Sequence, residues 1–410
     1  MKRLKILAVD YAFPPIAMPR SIQVSRLLKH LDASVVVICG EDRFARSDLS
    51  IAPGIERELD MVFRISFDRS LALCGIDYIA GKLHIPWSHL PDIYRQWNRL
   101  AFRRFSDWQK TSGYRPDVLL TFGQPMSDHL FGLRYKKRSK VTWIAHFSDP
   151  WVDNPYHLQD PVTISLNRRM EYQVVNDADA VVFTSPETLD LVMKKYPSSW
   201  HRKAFYLPHC YDETVYDAQI KPPEDQYVIR STGSLFGRRT PALLFEGVER
   251  IASEEPALLA KVVLELIGGI GPFDTHPYPL ARKMIRFVGA VPYAESIQLM
   301  QTAHCLLVMD APADFSVFFP SKLADYVGAG RFIIAISPPG ATSRIVRELG
   351  GLVARPEVEE VVRLLRQVLK DRPAGLPSTN HCFKRETVSR EMMRIIDTTI
   401  ARGNTDPSIS

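Results

Sequence analysis

The chain has 410 residues, 46% apolar and 24% charged, with a net charge of +6. That is the composition of a globular protein of two or three domains, and it excludes a disordered, collagen-like or disulfide-stapled chain. The five cysteines, at 39, 74, 210, 305 and 382, are odd in number and lack CxxC spacing, so a reducing, cytoplasmic setting without a zinc knuckle is expected.

From the start, Asp10 cuts the first apolar run short of the about 7–15 residues of a signal peptide. No run approaches the about 20 residues that span a bilayer. Short β-branched runs then alternate with helical patterns. In the first half strands are predicted at Lys5–Asp10, Val35–Cys39, Val62–Phe67, Asp117–Phe122, Val141–Phe147, Ala180–Thr184 and Ala204–Leu207. Helices are predicted near 20–31, 91–111, 125–137, 162–176 and 187–196. The second half repeats the alternation, with strands at Tyr227–Ser231, Val262–Ile267, Ile285–Val288, Cys305–Met309, Phe332–Ile336 and Leu352–Ala354. Its helices are predicted near 241–254, 294–303, 321–329, 343–349 and 357–371.

Near-continuous apolar strands alternating with helices mean parallel sheets covered on both faces, an α/β class. Two Rossmann-like, doubly wound domains are expected, at 1–215 and 216–380, facing across a cleft at their strands' carboxyl ends. Lys221-Pro222-Pro223 breaks the pattern between them, and a final helix at 381–402 precedes a polar tail at 403–410. The positive charge concentrates in the first half, which suggests an anionic partner there.

The loops after the strands carry the chemistry. The first, Tyr11 to Arg20, has no glycine, which argues against a dinucleotide site. Arg20 opens the next helix and either meets an anion or is solvated. In Ser231-Thr232-Gly233-Ser234-Leu235-Phe236-Gly237-Arg238-Arg239-Thr240-Pro241 a strand enters a Gly/Ser turn. Two arginines and a Thr-Pro helix start follow, with Thr240 as cap and Pro241 in the first turn. Amides and guanidinium groups together suit a diphosphate, although a plain surface arginine pair has the same sequence. Pro320 is expected in the first turn of a helix with free amides at Ser321 and Lys322. Lys322 adds a point charge, and Asp325 stands three residues on, where a carboxylate accepts two ribose hydroxyls or merely pairs with Lys322. His146 and Asp149 end a strand and offer a proton acceptor or sugar-hydroxyl contacts, or serve structure alone. Asp177-Ala178-Asp179 imitates a metal-binding pair but precedes its strand, away from the cleft, so no metal site is assigned.

These residues resemble the retaining glycosyltransferases of the GT4 type, with the two-domain GT-B fold. The resemblance rests on Phe13-Pro14-Pro15, on His146 with Ser148-Asp149-Pro150-Trp151, on Gly233-Ser234 with Arg238-Arg239, and on Pro320-Ser321-Lys322-Leu323-Ala324-Asp325-Tyr326. It implies that the second domain binds a nucleoside diphosphate sugar and the first an acceptor, on the side of Arg20. Arg238 or Arg239, with Lys322, then hold the diphosphate, Asp325 takes the ribose, and Gly289 to Val291 line the base. His146, with Asp149, reaches the donor sugar, no metal is required, and the final helix crosses back to the first domain. Val317 stands where the family has the first of two carboxylates, Asp314 is a candidate substitute, and Ala17-Met18 replace a glycine pair.

The expected reaction moves a sugar to an acceptor hydroxyl with retention, in synthesis of a cell-surface glycan such as lipopolysaccharide, capsule or exopolysaccharide. The rivals are a nucleotide-sugar epimerase on the same fold and a non-catalytic sugar-nucleotide-binding protein. No nucleic-acid module is present. The helix over 91–110 carries Ile93, Trp97, Leu100, Ala101 and Trp108 on one side, flanked by Arg95, Arg99 and Arg103. That pattern reads either as docking on an anionic membrane, on the inner face with a lipid-linked acceptor, or as core packing.

Overall fold

The computed structural model describes residues 3–41, 45–67, 79, 90–156, 160–376 and 381–405. Cys74, Pro377 and the part of the expected tail from 406 onward lie outside them. Each expected β-branched run forms a strand. In chain order these are β1 (Lys5–Val9), β2 (Ser34–Glu41), β3 (Met61–Ser66), β4 (Val118–Gly123), β5 (Thr142–Phe147), β6 (Ala180–Phe183) and β7 (Ala204–Tyr206). Then follow β8 (Tyr227–Thr232), β9 (Val262–Ile267), β10 (Ile285–Gly289), β11 (Cys305–Met309), β12 (Phe332–Ile336) and β13 (Leu352–Ala354).

The chain divides into two units, Met1–Pro208 with Glu386–Ser410, and His209–Arg385. The first holds a parallel sheet in the order β3-β2-β1-β4-β5-β6-β7, the second one in the order β10-β9-β8-β11-β12-β13. Strand order reverses between β1 and β4, and again between β8 and β11. At such a switch point the loops diverge to opposite faces and leave a crevice at the strands' carboxyl ends.

In the second unit alternate residues serve opposite faces. Ile229, Leu264, Leu307 and Ile334 pack with the helices Ala242–Glu254 and Val358–Asp371. Val228, Leu306, Val308 and Ile333 pack with Tyr293–Gln301, Ser321–Ala329 and Ala341–Glu348. Covering both faces removes from water the apolar surface that makes these strands near-continuous hydrophobic runs.

Two helix starts follow cap chemistry. The Asp160 carboxylate accepts from the Val162 and Thr163 amides, and the Ser185 hydroxyl from the Thr188 amide, each with proline next in line. Two differ from expectation. Pro241 and Pro320 each sit one residue before their helix, in the cap position, and Thr240 makes no cap bond there. A proline has no amide to satisfy, so either place suits it.

The helix Arg95–Ser112 corrects the lipid-facing reading. Trp97, Ala101, Phe102 and Phe105 are buried in the first unit's core, and Leu100 and Trp108 pack against it. The Trp97 indole donates to the Ile65 carbonyl at 3.0 Å. The apolar side is therefore occupied by protein, and of the expected stripe only Ile93 stays exposed.

The last helix, Arg385–Thr405, belongs from Glu386 onward to the first unit. Its Met392, Ile395 and Ile396 are fully buried, and Arg402 donates to the Arg202 carbonyl. Among the described residues no helix is long and apolar enough to cross a membrane.

Candidate active site

The second unit's switch point gathers most of the expected donor residues. β8 ends at Thr232 and turns at Gly233, whose φ of +90° is a left-handed conformation that glycine adopts without strain. Lys322, in the first turn of Ser321–Ala329, reaches across so that its Nζ donates to the Thr232 carbonyl at 2.9 Å. The Tyr326 hydroxyl, on the same helix, accepts from the Thr232 amide at 2.8 Å. A Cβ on Gly233 would lie 3.6 Å from Lys322 Cδ, so turn and lysine are in contact distance. The Ser321 and Lys322 amides stand in a helix first turn, where no intrahelical acceptor exists.

Arg239 joins this group, its Nη2 lying 3.5 Å from the Asp310 carboxylate at the end of β11. Burial, with the Arg239 guanidinium beside it, brings the Lys322 ammonium down to about 7, Asp310 opposing. Arg238 departs from the group: it is exposed, and its Nη2 donates to the Pro312 carbonyl at 2.8 Å. Two of the three expected cations thus converge and the third serves the neighbouring loop.

Val317 is buried and apolar, and Asp314 is exposed. The carboxylate beside the cations is instead Asp310, which also accepts from the Ala311 amide at 2.9 Å and from the Ser316 hydroxyl at 2.6 Å. Asp325 lies on the same helix as Lys322, buried, with Oδ1 accepting from the Tyr216 hydroxyl at 2.9 Å and the Tyr293 hydroxyl at 3.0 Å. Tyr293 opens the helix that follows Gly289, half-buried Val291 and Pro292, so that loop is tied to Asp325.

Gly268, which follows β9, links the loops. A Cβ there would come within 2.6 Å of the Gly233 carbonyl, and its φ is +132°, so only glycine fits. Its amide donates to the Gly289 carbonyl at 2.7 Å, and Leu235 donates to Gly269 at 2.9 Å. Gly268, Asp310, Tyr216 and Tyr293 were not singled out from sequence. The Gly268-Gly269 pair directly after an apolar run was the available signal.

In the first unit Arg20 is buried rather than solvated. Its Nη2 lies 3.0 Å from His146 Nδ1 and 3.2 Å from the His146 carbonyl, and Nη1 donates to Gln23 Oε1 at 3.1 Å. Because a guanidinium only donates, Nδ1 accepts and the ring proton sits on Nε2. Burial lowers Arg20 to about 10, against Asp10, Asp149 and Asp128. Burial in turn raises Asp10 and Asp128 well above the usual carboxyl range. Arg20, His146 and Asp149 thus form one neighbourhood, with Asp149 half-buried. Asp179 is engaged elsewhere, accepting from Lys136 Nζ at 2.6 Å and the Trp143 amide at 2.7 Å. Among the described residues no cluster of metal-ligating side chains occurs.

Two doubly wound parallel sheets, each with its crevice at a switch point, make up the GT-B fold. Residues 21–201 match the model of a family described as glycosyl transferase 4-like domain. No curated protein gives a significant sequence match. Among solved structures, sucrose-phosphate synthase from Thermosynechococcus elongatus is similar at a TM-score of 0.66 and 14% identity, over 98% of this chain and 100% of that one. HepE from Anabaena, in complex with UDP and glucose, gives 0.63 and 13%, over 96% and 100%. The lipopolysaccharide outer core galactosyltransferase WaaB gives 0.62 and 15%, over 96% and 99%. At these identities the likeness shows the fold.

Proposed function

We propose that the protein transfers a sugar from a nucleoside diphosphate sugar to an acceptor hydroxyl, with retention at the anomeric carbon. The observation that carries this is Lys322 set against the Gly233 turn with the Arg239 guanidinium beside it, at the β8/β11 switch point. On this reading the bond between the anomeric carbon and the diphosphate oxygen breaks, and negative charge grows on the leaving group. Lys322, Arg239 and the Ser321 and Lys322 amides stabilise that charge where it develops. The acceptor oxygen bonds to the anomeric carbon on the same face, and its proton passes to the leaving phosphate oxygen. The cations do the work that a divalent metal does elsewhere, so none is invoked.

Asp325 takes the ribose hydroxyls, held in place by Tyr216 and Tyr293, and the Gly289 to Val291 loop lines the base. Arg238 serves the donor through the loop it holds at Pro312. His146, with its proton on Nε2, donates to a sugar hydroxyl, and Asp149 accepts from one. Arg20 holds His146 on the acceptor side. HepE is seen with UDP and glucose, which makes a UDP-sugar the first donor to test. The acceptor is a glycan or lipid-linked glycan of the cell surface, met at the cytoplasmic side of the membrane. The positive charge of the first half favours a phosphorylated or membrane-borne acceptor.

The test is nucleoside diphosphate release from UDP-, GDP-, ADP- and TDP-sugars, with and without acceptor, the product's anomeric configuration being read by NMR. Acceptor-dependent release with retention is expected. An isomerised nucleotide sugar without release, or binding with no turnover on any acceptor, would contradict the reading.

A further inference from the structure

We propose that the first unit carries a second anion-binding site, for phosphate groups, at the amino ends of its strands. A groove of about 690 Å³ opens there, bordered by Leu4 before β1, Arg115 and Asp117 before β4, and Lys140 before β5. Arg20 follows β1 and His146 lies near the carboxyl end of β5, so the groove occupies the opposite end of the sheet from them.

Arg115, Arg138 and Lys140 bring three cations to the groove against one carboxylate, that of Asp117. Asp117 is already engaged, its Oδ2 accepting from the Lys5 amide at 2.9 Å. None of the three cations forms an ion pair with a described residue. The Arg138 guanidinium lies 4.8 Å from the centre of the Phe102 ring, which orients it, and its donors meet no acceptor among the described residues. Beside the groove, Arg134 is brought down to about 10 by burial and by Arg99, Arg95 and Arg138, neighbours all of its own sign.

Such an accumulation of like charge repels itself, and a ligand bearing phosphate oxygens relieves the repulsion while accepting charge-assisted bonds from the guanidinium donors. The proposed donor site lies in the other unit, so the groove is a separate feature. A phosphate reaches it either on a lipid headgroup or on a free molecule.

The full chain is compared with an Arg115→Gln, Arg138→Gln, Lys140→Gln triple variant and with a charge-keeping Arg115→Lys, Arg138→Lys variant. One probe is inorganic pyrophosphate, followed by calorimetry with every protein carrying Lys322→Ala and Arg239→Ala, so that the proposed donor site does not contribute. The other is sedimentation with phosphatidylcholine vesicles, with and without phosphatidylglycerol. The triple variant is expected to bind more weakly than the parent by more than about tenfold, and added salt to weaken the parent in the same way. The lysine variant should stay near the parent. A loss confined to anionic vesicles assigns the site to a lipid headgroup, and one confined to pyrophosphate assigns it to a free phosphate. Absent binding, or equal binding by parent and triple variant with both probes, would overturn the site.

Discussion

On the proposed reading, Lys322 is the residue whose charge state responds most directly to a donor. Unliganded, it is held near 7 against an ordinary 10.5, because burial and Arg239 disfavour the ammonium. A bound diphosphate reverses that pull. Between these two values donor binding should therefore take up a proton, and affinity should fall as pH rises through the window. Calorimetry in buffers of different ionisation enthalpy reads the proton, and its absence would contradict the assignment. The same shift makes the unliganded fold gain stability from about 7 toward 10.5, since the unfolded chain holds the proton longer. Lys322→Ala should lower turnover by about 10²–10³, the loss expected for one donor to a developing anion. Turnover equal to the parent's would remove Lys322 from the mechanism. Because the reading gives charge stabilisation to side chains, a chelator should leave turnover unchanged. Loss restored by added magnesium would contradict it.

At the scale of elements, the loops after β8, β9 and β10 are fitted together through Gly268. Gly268→Ala puts a Cβ within 2.6 Å of the Gly233 backbone at a φ of +132°, so the Gly233 turn must shift. The variant should lose about 1–3 kcal/mol of stability and bind nucleotide more weakly, as thermal unfolding and nucleotide titration will read. A variant like the parent in both would show that the turn has slack. The strands were legible in the sequence because buried parallel strands are written as unbroken β-branched runs, from Lys5–Val9 to Leu352–Ala354. The closing of the site was less legible. Gly268 matters through Gly233, far along the chain, and Asp310 stands beside Arg239 only because β8 and β11 are neighbours. For the helix Arg95–Ser112, an aromatic and arginine pattern has the same periodicity whether its apolar side meets lipid or core. Only the packing of Trp97, Ala101 and Phe105 decides.

At the scale of the molecule, the end of the chain is core to its beginning. Met392, Ile395 and Ile396 are fully buried within a unit otherwise made of residues 1–208. Each such side chain contributes about 1.5–3 kcal/mol by burial. Ending the chain at Arg385 should therefore lower the melting temperature of the first unit by more than about 5 °C. Calorimetry checks this, and an unchanged transition would show that the helix is an appendage. The central claim is that a departing diphosphate is held by Lys322 and Arg239. Its most direct test is a crystal structure with a nucleoside diphosphate. The account predicts diphosphate oxygens within hydrogen-bond distance of Lys322 Nζ and the Arg239 guanidinium, beside the Gly233 turn; a diphosphate seated away from both side chains would contradict it.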